Sequence, residues 1–253
     1  NSMIRLFKEF IKEEPQIWNI YYMRILAKVD TKSEFVIKGV QLEGVEKVGH
    51  IDFILHELVR LGVSEFILSD TMASLYMRNS LISVIGRHTK DFRYPICAGG
   101  GIQSVSDATD LIKAGADRIS INTYALENRS IIGSLTKALG ISCVVSQIDV
   151  RKINNEFRLF SHAGRELSEY DLKSWLNFLS ENYVGEIVVT SIDRDGTGRG
   201  IDWDLINFME SESPLPYVYS GGLADMGELK SLEGLNKMSG IAAMKLFIDG
   251  LPN

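Results

Sequence analysis

Two acidic residues and a glycine stand close together in the segment TSIDRDGTGRG. The spacing of Asp193, Asp195 and Gly196 is like the start of a calcium loop, but the same residue types serve acid–base chemistry or a phosphate site. Two glycine-rich turns, AGGGIQS at 98–104 and SGGLADM at 220–226, offer backbone N–H groups that suit a phosphate. The choice between these chemistries depends on the elements that position the segments.

Short β-branched segments alternate with amphipathic segments along the chain, which is the pattern of βα units around a parallel sheet. The segment SVSDATDLIKAGA predicts a helix with Ser104 or Ser106 as its N-cap. No Pro-rich or Ser-rich linker divides the chain, so we predict one barrel. Its eight strands are predicted at residues 24–30, 64–70, 94–101, 116–122, 142–149, 185–192, 215–222 and 240–247.

The predicted strands repeat at about half the chain length. Asp30 and Asp149 end strands and are 119 residues apart, while Glu65 and Glu186 begin strands and are 121 residues apart. A constant offset indicates two similar half-barrels, each with four βα units. We therefore predict a single (β/α)8 TIM barrel rather than an open doubly wound sheet.

The active site of such a barrel forms at the carboxyl ends of its strands. Asp30 and Asp149 end the first and fifth strands, which lie opposite each other in a ring of eight. Their carboxylates are therefore predicted to face each other as an acid–base pair, with capping of the following loops as the alternative. The two glycine turns at equivalent positions predict two phosphate sites and a substrate with a phosphate at each end.

Composition limits the partners. The 253 residues carry a formal net charge of −6, which argues against sequence-independent binding of nucleic acid. No apolar segment reaches the roughly 18 residues that cross a bilayer, so we expect a cytoplasmic protein without membrane contact. Cys97 and Cys143 are expected to be buried free thiols, and the four histidines show no spacing for structural zinc.

Seven motifs between residues 24 and 225 resemble the cyclase subunit family (HisF type) of imidazole glycerol phosphate synthase, a group of (β/α)8 barrels in histidine biosynthesis. They are KVDTKSEFVIKG, ILSDTMAS, AGGGIQSVSDA, AGADRISINTYALEN, QIDVRK, GEIVVTSIDRDGTGRGID and SGG. The combination of SINT and EN with TSIDRDGT and GID is more similar to the cyclase than to the related isomerase, in which DISRDGT is usual.

The resemblance implies a set of site residues and no metal or redox cofactor. Asp30 and Asp149 match the two catalytic aspartates, and Lys38 matches the lysine of the loop after the first strand. The positions that match substrate-binding and phosphate-binding residues are Gly101, Asn122 and Thr123 on one side, Asp195, Gly196 and Gly222 on the other, and Asp70 and Thr190 in the mouth.

In this family, ammonia from a separate glutaminase subunit enters the barrel at the strand starts through a ring of four charged residues. The matching positions are Arg24, Glu65, Arg118 and Glu186, with arginine where the third residue is usually lysine. A structural salt-bridge ring would use the same four residues, because unpaired buried charges are costly. The resemblance places Asp117 near the docking face of the glutaminase.

The chain departs from the family pattern in three places. The segment after Lys38, GVQLEGVEKVGHID, lacks the usual asparagine and GDP, which puts substrate recognition by this flexible lid in doubt. Met244 and Lys245 stand near the small residue and serine of the eighth βα turn; the charge of Lys245 suits a phosphate, and equally another ligand. Only IDGLPN follows the eighth strand, which is too short for a closing helix.

An N-terminal helix is predicted to take the place of the closing helix. Apolar residues of MIRLFKEFIKEEP fall on one face of a helix that Pro15 ends. We expect this N-terminal helical extension, residues 1–22, to pack beside the first and eighth strands of a barrel at 23–253. A membrane-surface or partner-binding helix is the alternative. The apolar residues are Met3, Ile4, Phe7, Phe10 and Ile11.

We predict a cyclase-type lyase that uses ammonia to convert the phosphoribulosyl-formimino aminoimidazole carboxamide ribonucleotide to imidazole glycerol phosphate and aminoimidazole carboxamide ribonucleotide. Two alternatives remain open. One is a divergent relative that delivers ammonia to another acceptor, such as the amidino group of a surface sugar, and the other is a catalytically silent ammonia conduit. The presence of both Asp30 and Asp149 weighs against a silent conduit, which needs neither.

Overall fold

Eight parallel strands form a closed barrel in the computed structural model, which describes residues 24–71, 73, 81–88 and 94–248. The barrel strands are β1 (Arg24–Lys32), β4 (Phe66–Asp70), β5 (Ile96–Gly99), β6 (Arg118–Ile121), β7 (Val144–Ile153), β10 (Glu186–Ser191), β11 (Tyr217–Ser220) and β12 (Met238–Ala243). Each strand pairs with the next in this order, and β12 returns to β1. The predicted (β/α)8 barrel is confirmed, and β1 and β7 lie on opposite sides of the ring.

Two antiparallel hairpins, which we did not predict, extend the first and fifth barrel strands. β2 (Phe35–Val40) and β3 (Glu43–His50) follow β1, and β8 (Glu156–Ser161) and β9 (Glu166–Asp171) follow β7. The segment after Lys38 therefore forms the second strand of a hairpin, because its backbone pairs with β2. Each half of the barrel carries a hairpin at the same place, which extends the half-barrel repeat.

Helices between the strands cover the outside of the barrel. The helix predicted from SVSDATDLIKAGA begins at Ser104, whose side chain accepts a hydrogen bond from the Asp107 N–H in a capping box. It ends at Gly115 in the left-handed conformation, with φ of 117°. The helices are α1 (Ile51–Arg60), α2 (Leu81–His88), α3 (Val105–Ala114), α4 (Thr123–Glu127), α5 (Ser130–Leu139), α6 (Leu172–Glu181), α7 (Trp203–Glu212) and α8 (Lys245–Ile248).

Successive residues of each barrel strand point alternately towards the helices and towards the barrel axis. The outward residues join the large core beneath the helices, in which Val29, Leu68 and Val189 are fully buried. Inward positions recur every two residues along a strand. The charged residues at the strand starts therefore lie below the inward apolar residues, and the polar residues at the strand ends lie above them. The inward apolar layer consists of Leu26, Ile67, Cys97, Val145, Val188, Val218 and Ala242.

Two local predictions are wrong. The eighth strand ends at Ala243 rather than 247, because Lys245 begins the short helix α8. Cys143 lies in a 3-10 turn before β7 and is only half-buried, while Cys97 is buried, and both thiols are free. The predicted N-terminal helical extension, residues 1–22, lies outside the described residues. Within the described part of the chain, no helix is long and apolar enough to span a membrane.

Candidate active site at the barrel mouth

Asp149 stands inside the barrel on β7 and is 3% exposed. The Asn122 amide donates a 2.9 Å hydrogen bond to its Oδ2, while its Oδ1 has no partner among the described residues. Burial raises the pKa of Asp149 to about 6; the Lys28 charge lowers it, and nearby carboxylates raise it further. The Asp149 carboxyl group can therefore take up and release a proton near neutral pH.

Asp30 occupies the equivalent place on the opposite strand, β1. Its Oδ2 lies 3.6 Å from Nζ of Lys28, which precedes it by two residues on the same inward side of the strand. Burial alone would lower the pKa of Lys28, but the charges of Asp30, Asp195 and Asp149 raise it above its usual value. Lys28 is thus a buried ammonium group among three carboxylates.

A cavity of about 140 Å³, called here the first pocket, opens between the ends of β4, β5, β6 and β7. Gly101, Asn122, Thr123 and Asp149 line it together. The turn after β5 requires glycine, because Gly101 has φ of 67° and an added Cβ would lie 2.8 Å from Cβ of Ala73. Because Gly101 has no side chain, the backbone of this turn borders the pocket.

The second pocket, of about 60 Å³, lies across the mouth, at the ends of β11 and β12. Its lining includes Asp195, Gly196, Gly222 and three lysines, Lys28, Lys38 and Lys245. Gly222 has φ of 82°, and an added Cβ would lie 2.2 Å from a backbone oxygen of the facing loop. The second pocket therefore combines tight backbone turns with three cationic side chains.

Lys28 and Asp30 line both pockets, so a ligand that fills both must lie across these two side chains. Asp70, at the end of β4, is buried and reaches the first pocket. Thr190 is fully buried on β10, in register with Asp149, and lines neither pocket. Its Oγ1 has no partner within the described chain.

The segment TSIDRDGTGRG forms the end of β10 and the loop that follows it. Asp193 accepts a 3.1 Å hydrogen bond from the backbone N–H of Lys152 and lies 3.4 Å from Arg151 Nε, which ties the loop to β7. Asp195 faces the second pocket instead, and burial raises its pKa. Within the described ranges, no group of three or more side chains could hold a metal ion. The two aspartates therefore have separate structural positions.

The four charged residues at the strand starts form one ring at the other end of the barrel. Arg24 donates two 2.8 Å hydrogen bonds to Glu186 and lies 3.7 Å from Glu65. Arg118 bridges the same two carboxylates with its two terminal nitrogens. Positive and negative side chains alternate around this strand-start ring, and each carboxylate faces both guanidinium groups.

Ser239 belongs to the strand-start ring and was missed by the sequence analysis. Its hydroxyl donates a hydrogen bond to Glu186. Burial alone would raise the pKa of Glu186, but Ser239, Arg24 and Arg118 hold it below its usual value. Because Ser239 is 121 residues after Arg118, the half-barrel offset could have pointed to it.

Lys28 at the mouth was also not predicted from the sequence. Its distance of two residues from Asp30 was the available signal, because alternate strand residues share a face. Leu42, His162 and Ala163 border the first pocket as well. They were missed because they lie in the two hairpins, which the sequence analysis did not predict.

The fold and the site together define a (β/α)8 barrel with opposed carboxylates at the strand ends, where enzymes of this architecture carry out their chemistry. The family described as "Histidine biosynthesis protein" matches residues 24–251, and the chain belongs to this family.

Relatives among curated proteins carry the name "Imidazole glycerol phosphate synthase subunit HisF". The protein from Legionella pneumophila is 36% identical over 207 residues, covering 81% of this chain and 98% of the relative. The protein from Thermotoga sp. (strain RQ2) is 33% identical over 203 residues, or 80% of each chain. The protein from Sulfurisphaera tokodaii is 31% identical over 228 residues, covering 90% of this chain and 91% of the relative. These matches confirm the predicted resemblance and enzyme class, and they favour the cyclase over the two alternatives.

Proposed function

We propose that the chain uses ammonia to convert the phosphoribulosyl-formimino aminoimidazole carboxamide ribonucleotide to imidazole glycerol phosphate and aminoimidazole carboxamide ribonucleotide. The observation that carries this proposal is the position of Asp30 and Asp149 on opposite strands of the barrel mouth, where both line the first pocket and Asp30 also lines the second. A substrate with a phosphate at each end would fill both pockets. Its central, reacting atoms would then lie over the two aspartates.

Each pocket offers groups that suit one phosphate. The first pocket combines the glycine turn after β5 with the side chains of Asn122 and Thr123. The second pocket combines the turn at Gly222 with the charges of Lys38 and Lys245. Phosphate oxygens accept hydrogen bonds from backbone N–H groups, and lysine adds a positive charge. Lys245 would thus supply by charge what the family's serine supplies by hydrogen bonding.

Ammonia addition and ring closure move protons on and off the substrate. Asp149, with its pKa of about 6, and Asp30 face the substrate from opposite strands. In the proposed mechanism they exchange protons with the ammonia adduct and the ring-closing carbons on the two faces of the substrate. Oδ1 of Asp149 has no partner within the described chain, and a bound substrate would complete its hydrogen bonding.

In this proposal, ammonia comes from a separate glutaminase subunit docked at the strand-start face, beside Asp117. The strand-start ring surrounds the barrel axis there, and the inward apolar layer lies between the ring and the mouth. Neutral ammonia can cross an apolar layer. Ammonium crosses it only at high cost, because burying an unpaired charge costs several kcal/mol. Separation of the ring's salt bridges would admit ammonia to the barrel.

A direct assay with the ribonucleotide and an ammonium salt tests the proposal. We expect turnover by the wild-type chain and a loss of about 10²- to 10⁴-fold in Asp30→Asn and Asp149→Asn, the usual contribution of acid–base catalysis. Asp110→Asn, the same change on the exposed side of α3, is the matched control and should leave turnover unchanged.

Two results would contradict the cyclase. Absence of turnover together with stimulation of a glutaminase would support the silent conduit. Turnover of the unrearranged aldose substrate in place of the rearranged one would support the isomerase reaction.

A further inference from the structure

The two halves of the barrel differ at one inward position beside the aspartates. Lys28 and Gln147 are 119 residues apart, the same offset as Asp30 and Asp149, and each precedes its aspartate by two residues. Both side chains line the first pocket. One aspartate therefore has an ammonium group on its own strand where the other has an amide.

The contacts of the two aspartates reflect this difference. Lys28 is 5% exposed, and its Nζ lies 3.6 Å from Oδ2 of Asp30. Asp149 receives its 2.9 Å hydrogen bond from the neutral amide of Asn122. Gln147, two residues before it, accepts a 3.5 Å hydrogen bond from the Ser69 hydroxyl. A buried charge thus stands beside Asp30, and neutral polar groups stand beside Asp149.

We propose that Lys28 is a positioning residue that makes the two equivalent aspartates chemically unequal. Its ammonium group pairs with Asp30, and Asp149, which accepts a hydrogen bond from the neutral Asn122 amide, carries the exchangeable proton. This inference rests on the proposed function only in treating the two aspartates as catalytic. Its physical basis is that two carboxylates facing one small space do not both ionise at the same cost.

Charged groups approach Asp149 from several elements. Lys28 and Asp30 face it from β1, and Asp195 faces it from the loop after β10. Among these three, Lys28 lowers the pKa of Asp149, while the two carboxylates raise it. The other titratable groups around the two pockets are Asp70 on β4, Lys38 on β2, Glu127 on α4, His162 between β8 and β9, and Lys245 on α8.

Exchange of the two inward residues tests the proposal, with carbon-13 NMR of the Asp149 carboxyl carbon in the full chain as the measurement. The wild-type midpoint is expected at a pH of about 6. Lys28→Gln, which copies the other half, should move the midpoint to higher pH because a neighbouring positive charge is lost. Lys28→Gln combined with Gln147→Lys should move it below the wild-type value, because the ammonium group then stands beside Asp149.

Two further variants separate charge from packing. Lys28→Met keeps nearly the length of the side chain without its charge and should shift the midpoint as Lys28→Gln does. It also provides the measurement if the glutamine variant fails to fold. Lys28→Arg keeps the charge and should keep the midpoint near the wild-type value. In the cyclase assay, the pH profile of Lys28→Met should move in the same direction.

An Asp149 midpoint that stays at the wild-type value in both Lys28→Gln and Lys28→Met would overturn the proposal. The NMR titration needs no substrate. It therefore decides the role of Lys28 separately from the cyclase assay, which can fail while the titration succeeds.

Discussion

The two ends of the barrel interior both hold charged side chains, but they match those charges differently. At the strand starts, two arginines alternate with two glutamates: Arg24 and Arg118 each contact both Glu65 and Glu186. At the mouth, three carboxylates surround the buried ammonium group of Lys28. The inward apolar layer lies between the two ends.

Hydrogen bonding shows the same contrast. Oδ1 of Asp149, Oδ1 of Asn122 and Oγ1 of Thr190 are buried at the mouth without a partner in the described chain, while in the strand-start ring this holds for Nε of Arg24. A buried polar atom without a partner costs about 1–3 kcal/mol. The strand-start ring, in which positive and negative charges balance, therefore stabilises the barrel and closes its base. The mouth retains buried polar atoms without a partner in the described chain, which a substrate can satisfy.

Loss of a cation from the matched ring should give the largest change in stability. Arg118→Met leaves Glu65 and Glu186 with Arg24 alone, and we expect the free energy of unfolding to fall by about 3–5 kcal/mol, as for a broken buried ion pair. Urea denaturation measures this change. Arg118→Lys keeps a cation in the ring and should lose clearly less. Equal losses in the two variants would show that the charge of residue 118 is not what stabilises the ring.

Removal of a carboxyl group from the unmatched mouth should have the opposite sign. The pKa of Asp149 is raised from 3.8 to about 6, so its contribution to stability is fully present below pH 3.8 and is lost as pH rises through about 6. At pH 8 the folded chain therefore bears the cost of a buried, ionised carboxylate at Asp149. Asp149→Asn removes this cost and should be more stable than wild type by about 2–3 kcal/mol at pH 8.

The pH dependence of this gain provides its control. Denaturation at pH 3.5 should show almost no difference between Asp149→Asn and wild type, because the Asp149 carboxyl group is then protonated in both the folded and the unfolded chain. A gain of equal size at both pH values would indicate a packing effect rather than release of a buried charge.

The smallest effect is expected from the hydroxyl group that completes the ring. Ser239→Ala removes one hydrogen bond to Glu186, while both guanidinium groups remain. We expect a loss of about 1 kcal/mol in the free energy of unfolding, measured by urea denaturation. Ser106→Ala, at an exposed position of α3, is the matched control. A loss no larger than that of the control would show that Ser239 does not stabilise the strand-start ring.

Much of this comparison could be predicted from the sequence. The strand segments and the offset of about half the chain predicted the closed barrel, and the rule that active sites lie at strand ends selected Asp30 and Asp149. The strand-start residues Arg24, Glu65, Arg118 and Glu186 were also predicted as one set, from the family resemblance. The barrel and the pair of aspartates follow from local pattern and regular spacing, which a sequence displays directly.

The hairpins after β1 and β7 could not be predicted in the same way. The segment 35–50 contains three glycines and four acidic or basic residues between its apolar positions, so it looks like an exposed loop. Its strands form because β2 continues the backbone pairing of β1, with Asp30 opposite Ile37. Strand propensity in such a segment is weak, and the pairing partner decides the outcome.

By itself, the sequence determined the barrel, its half-barrel repeat and the residue types at each strand end, because these follow from short-range periodicity. Only the tertiary structure decided which charges are matched. Arg24 and Glu186 are 162 residues apart yet hydrogen-bonded, and Lys28 meets carboxylates from two other parts of the chain. The strength of a charge interaction depends on distance and burial in the folded barrel, which no spacing along the chain specifies.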